Sequence, residues 1–242
     1  MRLQKFLAQA GVASRRAAEK LIAEGKVKVN GQAVSALGTQ VNPRTDRVEL
    51  EGKRMRAEAP QYRLLLKPRA CLATLEPAQG ERATLAEFVE DREVGWKVAA
   101  PLDYPAEGVI LLTTDGELAE RMSRGGGKVP MGYHLKFQGS IGAAELERLP
   151  KGWKWNGRPV RPLVVEPLAT TGKNTWLEMT VAESRPRVLK VAGEMIRRSL
   201  LKVSRVRMGI ISFEPLKMGE SRDLTKTEIA ALRRAVGLES EE

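Results

Sequence analysis

The chain has 242 residues, 42% hydrophobic and 29% charged, which is the composition of a globular protein of one or two domains and excludes a disordered chain. Cys71 and His134 are the only residues of their kinds, so a disulfide framework, a cysteine-based zinc site and a His-rich metal site are all excluded. Lys and Arg number 41 against 30 Asp and Glu, and the net charge of +11 points to a polyanionic partner, most often nucleic acid.

The first elements are two short helices. Leu3, Phe6, Leu7 and Ala10 recur at helical spacing and Gly11 stops the run. Ser14 is expected to cap a second helix ending at Gly25, with Ala17, Ala18, Leu21 and Ile22 as its apolar face and Arg15, Arg16 and Lys20 toward solvent. "KVKVNGQAV" alternates as a strand and turns at Asn30-Gly31, and "VELEGKRM" offers a second pair turned at Glu51-Gly52. The charged, Ala-rich segment before Pro60 is a linker. Beyond it, strands are expected at "YRLLLK", "GVILLTT", "GYHLKFQG", "NTWLEMTV", "LLKVSRVRMG" and "IISFEPL", and a hairpin at "WKWNGRPV". Helices are expected at "TLAEFVE", "DGELAERM", "GAAELERL", "RVLKVAGEMIRRS" and "TKTEIAALRRAVG". Strands broken by single helices indicate an α+β domain on a mixed, mostly antiparallel sheet. No apolar stretch is long enough to span a bilayer, and "MRLQKFLAQAG" is charged too early for a secretory leader. A soluble, cytoplasmic, monomeric protein is expected.

The basic excess gathers in two regions. Residues 1–60 hold 12 basic and 6 acidic side chains, and residues 184–222 hold 10 and 3. On the first helix pair, Arg2, Lys5, Arg15, Arg16 and Lys20 form one cationic face that Lys26 and Lys28 extend, a density suited to successive phosphates of a structured RNA. An ordinary solvated face is the competing reading of such a run. The stretch resembles the S4-type RNA-binding domain through "FLAQAGVASRR", "LIAEGKVKVNG" and "GTQV", and the resemblance implies RNA contacts at these residues and at Ser14 and Asn30.

In "APLDYPAEGVILLTTDGELA", Asp103 precedes a deeply apolar strand. Taken alone, it is a turn aspartate bonding nearby amides. The larger set "LLLKPR", "PLDYPAEGVILLTTDGELA", "GYHLKF", "NGRPVRP" and "SRVRMG" with "GESRDLT" resembles, in order and from residue 2 to about residue 235, the RsuA/RluB-type ribosomal RNA pseudouridine synthases. The resemblance implies a small S4-type α/β domain at 1–56, a linker at 57–61 and a catalytic domain at 62–238. It also implies isomerisation of one uridine in ribosomal RNA without metal or organic cofactor.

Such chemistry needs an ionised carboxylate at the sugar, as nucleophile or base, because a glycosyl bond breaks with oxocarbenium character. By resemblance that carboxylate is Asp103. Tyr133 is the active-site tyrosine beside the flipped base, and Lys190 is the cation that keeps the carboxylate ionised. Arg185 and Arg187 of the second basic region are implied RNA contacts. The chain departs from the family at Pro101, where Arg is usual before "LD", at Ala70, and at Pro186 and Lys190 in "ESRPRVLKVA". An rRNA-binding assembly protein without turnover is the alternative, and the presence of Asp103 favours the enzyme. His134 reads as an ordinary strand histidine, and Trp153, Trp155 and Trp176 read as covers of the sheet.

Overall fold

The computed structural model describes residues 1–12, 15–78, 80–124, 129–183 and 187–238. The chain divides into two compact units, Met1–Pro60 and Gln61–Glu242. In the first, helices α1 (Leu3–Gln9) and α2 (Arg15–Ala23) pack against an antiparallel sheet of strands β1 (Val27–Val29), β2 (Gln32–Val34), β3 (Val48–Leu50) and β4 (Lys53–Met55), in the order β2-β1-β3-β4. Its core is Leu3, Phe6, Leu7, Ala18, Ile22, Val27, Val41 and Val48. Ala18 and Ile22 are one turn apart and share the buried stripe, whereas Ala17, expected on the apolar face, is exposed. Asn30 (φ 53°) and Gly31 (φ 85°) both sit in the left-handed region that a two-residue hairpin turn requires.

The second unit contributes β5 (Tyr62–Lys67), β6 (Cys71–Leu72), β7 (Ala83–Thr84), β8 (Lys97–Ala99) and β9 (Glu107–Thr113), then α3 (Gly116–Ser123) and β10 (Met131–Gln138). It continues through α4 (Ala143–Leu146), the hairpin β11 (Trp153–Trp155) and β12 (Arg158–Val160), β13 (Pro162–Thr171) and β14 (Asn174–Val181). It closes with α5 (Val188–Met195), β15 (Leu200–Met208), β16 (Ile211–Ser212), β17 (Ser221–Asp223) and α6 (Lys226–Ala235). The main sheet runs β13-β14-β10-β15-β9-β5-β17, with β16 on β15 and β8 on β9. Only the β15–β9 pairing in this sheet is parallel among the described residues.

Strand β9 is buried along its whole length because both faces are covered. Val109 and Leu111 face the main core with Leu118, Met122, Leu189 and Leu232. Ile110 and Leu112 face a second cluster with Leu65, Leu85, Val89 and Trp96. Burial of each such side chain contributes about 1.5–3 kcal/mol.

Several elements differ from expectation. "TLAEFVE" forms only a 3-10 turn over Leu85–Phe88, and strands β8, β13 and β17 of the main sheet occupy stretches where none was expected. Pro162 and Pro167 are tolerated because β13 is the outermost strand and bonds β14 alone.

Candidate active site

Asp103 lies in the loop 100–106 between the antiparallel strands β8 and β9, where β15 runs in parallel beside the start of β9. Two fully buried cations hold this loop. Lys67 Nζ donates to the carbonyls of Ala106 (2.6 Å), Pro68 (3.1 Å) and Tyr104 (3.4 Å). Arg205 Nη2 donates to Ala100 O (2.6 Å) and Nε to Val109 O (2.7 Å). Ala100 is held at a positive φ of 50°, and the Ala106 amide closes a turn onto Asp103 O at 3.0 Å. Burial pulls the Lys67 ammonium down to about 8. Neither cation was singled out from the sequence. The only signal was a charged residue inside an apolar strand pattern, in "LLLKP" and "KVSRVRM".

Gly108 makes the junction of β9 and β15 possible. Its φ is +113°, and a Cβ there would lie 2.1 Å from Arg205 O. No other residue fits that approach.

Tyr133 stands opposite Arg205 across β10 and β15, because a bulge at Val206 shifts the register between Gly132 and Tyr133. The ring is fully buried, and neither its hydroxyl nor Arg205 Nη1 completes a hydrogen bond. Burial pushes the phenol pKa up, while the nearby Arg205 cation opposes that shift. Glu107, at the end of the loop, accepts from Ser204 Oγ at 2.8 Å and is ion-paired with Lys202 Nζ at 2.7 Å. Asp103 thus remains the partly exposed carboxylate of the loop, with 27% of its side chain accessible.

The cation that the structure brings to Asp103 is Arg187, whose Nε lies 3.4 Å from Oδ1. Arg187 is the residue before α5, so it faces the loop. Lys190, expected in that place, is one turn further on, exposed, and lines a hollow with Arg197 and Arg198 instead. Arg82 stacks on Tyr104, beside Asp103, with its guanidinium 5.5 Å from the ring centre. Pro101 is exposed and offers no donor.

On the first unit, Arg2, Arg15, Arg16, Lys20 and Lys28 are exposed, and Lys5 is half-buried. Lys26 is shared with Glu24 (2.8 Å) and Glu51 (3.9 Å). Asn30 is already engaged: Nδ2 donates to Asp46 and Oδ1 accepts from the Arg47 amide. Ser14 and Arg185 lie outside the described residues. Trp153 is buried, and Trp176 stacks under Lys136 at 5.5 Å, so both serve the sheet. Among the described residues no group of three His, Cys, Asp or Glu side chains converges as metal ligands would. No described helix is long and apolar enough to cross a membrane.

Comparison with known proteins bears on both units. The S4 domain family matches residues 1–48. An Aquifex aeolicus protein named as an uncharacterized RNA pseudouridine synthase is 37% identical over 98% of this chain and 96% of its own length. The ribosomal large subunit pseudouridine synthase B of Bacillus subtilis is 33% identical over 96% of this chain and 95% of its own. A crystal structure of a pseudouridylate synthase superposes with a TM-score of 0.62 at 25% identity, covering 96% of this chain and 99% of that one.

Proposed function

The chain belongs to the RNA pseudouridine synthase family, and from that premise we propose that it isomerises one uridine of ribosomal RNA with Asp103 as the catalytic carboxylate. The observation that carries this reading is the juxtaposition at one spot of an accessible carboxylate, a cation and a buried phenol–guanidinium pair, on a loop pinned by two buried cations. A bare turn aspartate would not need that support.

The reaction breaks the N1–C1′ bond of the uridine, turns the base and joins C5 to C1′; the C5 proton is lost to solvent, the freed N1 takes up a proton, and the redox state does not change. The Asp103 carboxylate works at the sugar as nucleophile or as base, and Arg187 is the cation that stands beside it. Tyr133 and Arg205 lie fully buried behind the loop and support it from within, so their part is to shape the site and not to touch the base. Lys67 and Arg205 hold the loop, so the carboxylate is positioned before the substrate arrives.

The test is release of tritium from RNA made with uridine labelled at C5, using ribosomal RNA stripped of modifications. Asp103→Asn keeps the shape and the hydrogen-bonding reach of a turn residue but cannot act as an anion. Abolished release with RNA binding retained is expected. Wild-type release in Asp103→Asn would reduce Asp103 to a turn residue. An inactive wild-type protein that still binds the RNA would favour the assembly role, for which the missing donor at Pro101 is the motivating observation.

A further inference from the structure

Along α5 the exposed residues are Arg187, Lys190 and Glu194, continued by Arg197 just past the helix end. Their spacing of three, four and three places them in one stripe, while Val188, Leu189, Ala192 and Gly193 face the core. The stripe begins at Asp103, through Arg187. It ends, about 15 Å along the helix axis, in a hollow of about 400 Å³ lined by Lys190, Glu194, Arg197 and Arg198. Gly193 lets the chain fold back there: a Cβ would sit 2.7 Å from Arg198 O, so only glycine keeps residues 197–198 against the helix.

The charges in this hollow are not equivalent. Arg198 is held by Glu145, Nε to Oε1 at 2.8 Å and Nη2 to Oε2 at 3.3 Å, and its charge is compensated. Lys190, Arg197 and Glu194 have no ion-pair partner among the described residues. Two free cations beside one free carboxylate repel a simple anion at one end while attracting it at the other. They suit a group that offers an anion and a hydroxyl donor side by side. A ribonucleotide is such a group, since its phosphate accepts and its 2′-hydroxyl donates, and the hydroxyl is what distinguishes RNA from DNA at a given site.

We propose that the exposed face of α5 is a track for the RNA strand flanking the target uridine. In the hollow, Lys190 and Arg197 grip a backbone phosphate and Glu194 accepts the ribose 2′-hydroxyl. This deepens the reading of Asp103 as the reaction centre, because it gives the strand a path a few nucleotides away from it.

The test is anisotropy of a labelled short oligouridylate and its deoxy counterpart, with the full-length protein over a range of KCl. In Lys190→Met/Arg197→Met the slope of log affinity against log salt becomes less steep by about 0.7 per cation removed from the phosphate, about 1.4 in all, while Lys190→Arg keeps the wild-type slope. Glu194→Ala narrows the preference for ribose over deoxyribose by about tenfold. Circular dichroism shows that each variant is folded. A wild-type slope in the double variant overturns the track. An unchanged ribose preference in Glu194→Ala, or equal tightening of both oligomers, overturns the hydroxyl contact. Tritium release that survives in Asp103→Asn would sink the catalytic reading and leave these slopes unmoved, so the two can fail separately.

Discussion

Which cation serves Asp103 is decided at the level of single residues. Arg187 and Lys190 differ by one helical turn, and only Arg187 reaches the carboxylate. Arg187→Met should lower turnover at saturating RNA by about 10–100-fold, the range for loss of one electrostatic partner at a reacting group, while Lys190→Met should act mainly on affinity. Measured kcat and KM for the pair check this, and equal kcat losses would restore Lys190 to the reaction centre. Arg205 is the more deeply structural residue. Arg205→Met leaves the Ala100 and Val109 carbonyls buried without donors, and a loss of about 3 kcal/mol in urea unfolding is expected. Lys67 adds a pH signature. Its folded pKa of about 8 lies below the ordinary 10.5, so between these values the unfolded chain holds the proton longer. Stability contributed by this group therefore rises with pH from about 8 to about 10.5. Wild type should gain on Lys67→Met across that window, and parallel curves for the two proteins would contradict the shift.

At the scale of elements, periodicity revealed most of the sheet, because strands with one or both faces buried alternate or run apolar. It did not reveal β13. That strand is exposed along most of its length and carries two prolines, so neither burial pattern nor propensity marks it. Its pairing with β14 is a tertiary fact. The turns at Asn30-Gly31, Asn156-Gly157 and Glu51-Gly52 were legible because each needs positive φ at both positions, and the α6 start because "TKTE" carries the capping-box spacing. Asp103 was legible through resemblance, whereas its supports Lys67 and Arg205 were not, since a buried charge has no local pattern. Asp115 was legible as the start of α3, but its bonds to Tyr62 and Arg233 had no sequence signature. That side chain caps α3 by accepting from the Glu117 and Leu118 amides, and it also takes the Tyr62 hydroxyl at 2.9 Å and Arg233 of α6 at 2.5 Å. Asp115→Ala removes the α3 cap and the carboxylate to which Tyr62 and Arg233 both donate, so about 2–4 kcal/mol should be lost. Tyr62→Phe should cost about 1 kcal/mol. Similar losses for the two would mean that Asp115 does not join α3 to α6 energetically.

At the scale of the whole molecule, the basic excess is concentrated in two stretches of the chain, residues 1–60 with 12 basic and 6 acidic side chains and residues 184–222 with 10 and 3. The α5 face meets Asp103 through Arg187, and its cations stand beside carboxylates. The first unit holds cations on a helix pair remote in sequence from any candidate catalytic group, and there Arg15 and Arg16 are exposed at the start of α2. Sequence-independent grip should come from that unit, through release of counterions from phosphates. Arg15→Gln/Arg16→Gln should weaken binding to all RNA sequences alike and flatten the salt dependence by about one unit for each phosphate no longer engaged. Unfolding should change by less than about 0.5 kcal/mol, because both side chains are solvated. KM should rise with kcat retained, since uniform binding is removed and transition-state interactions are not. Lys26→Gln is the internal control. Its ammonium is already shared with Glu24 at 2.8 Å, so removing it deletes an attractive charge and frees a repulsive one, which changes affinity without removing a dedicated phosphate ligand. A double variant that keeps the wild-type slope would move the non-specific grip to the second unit, and the α5 track would then have to carry it alone.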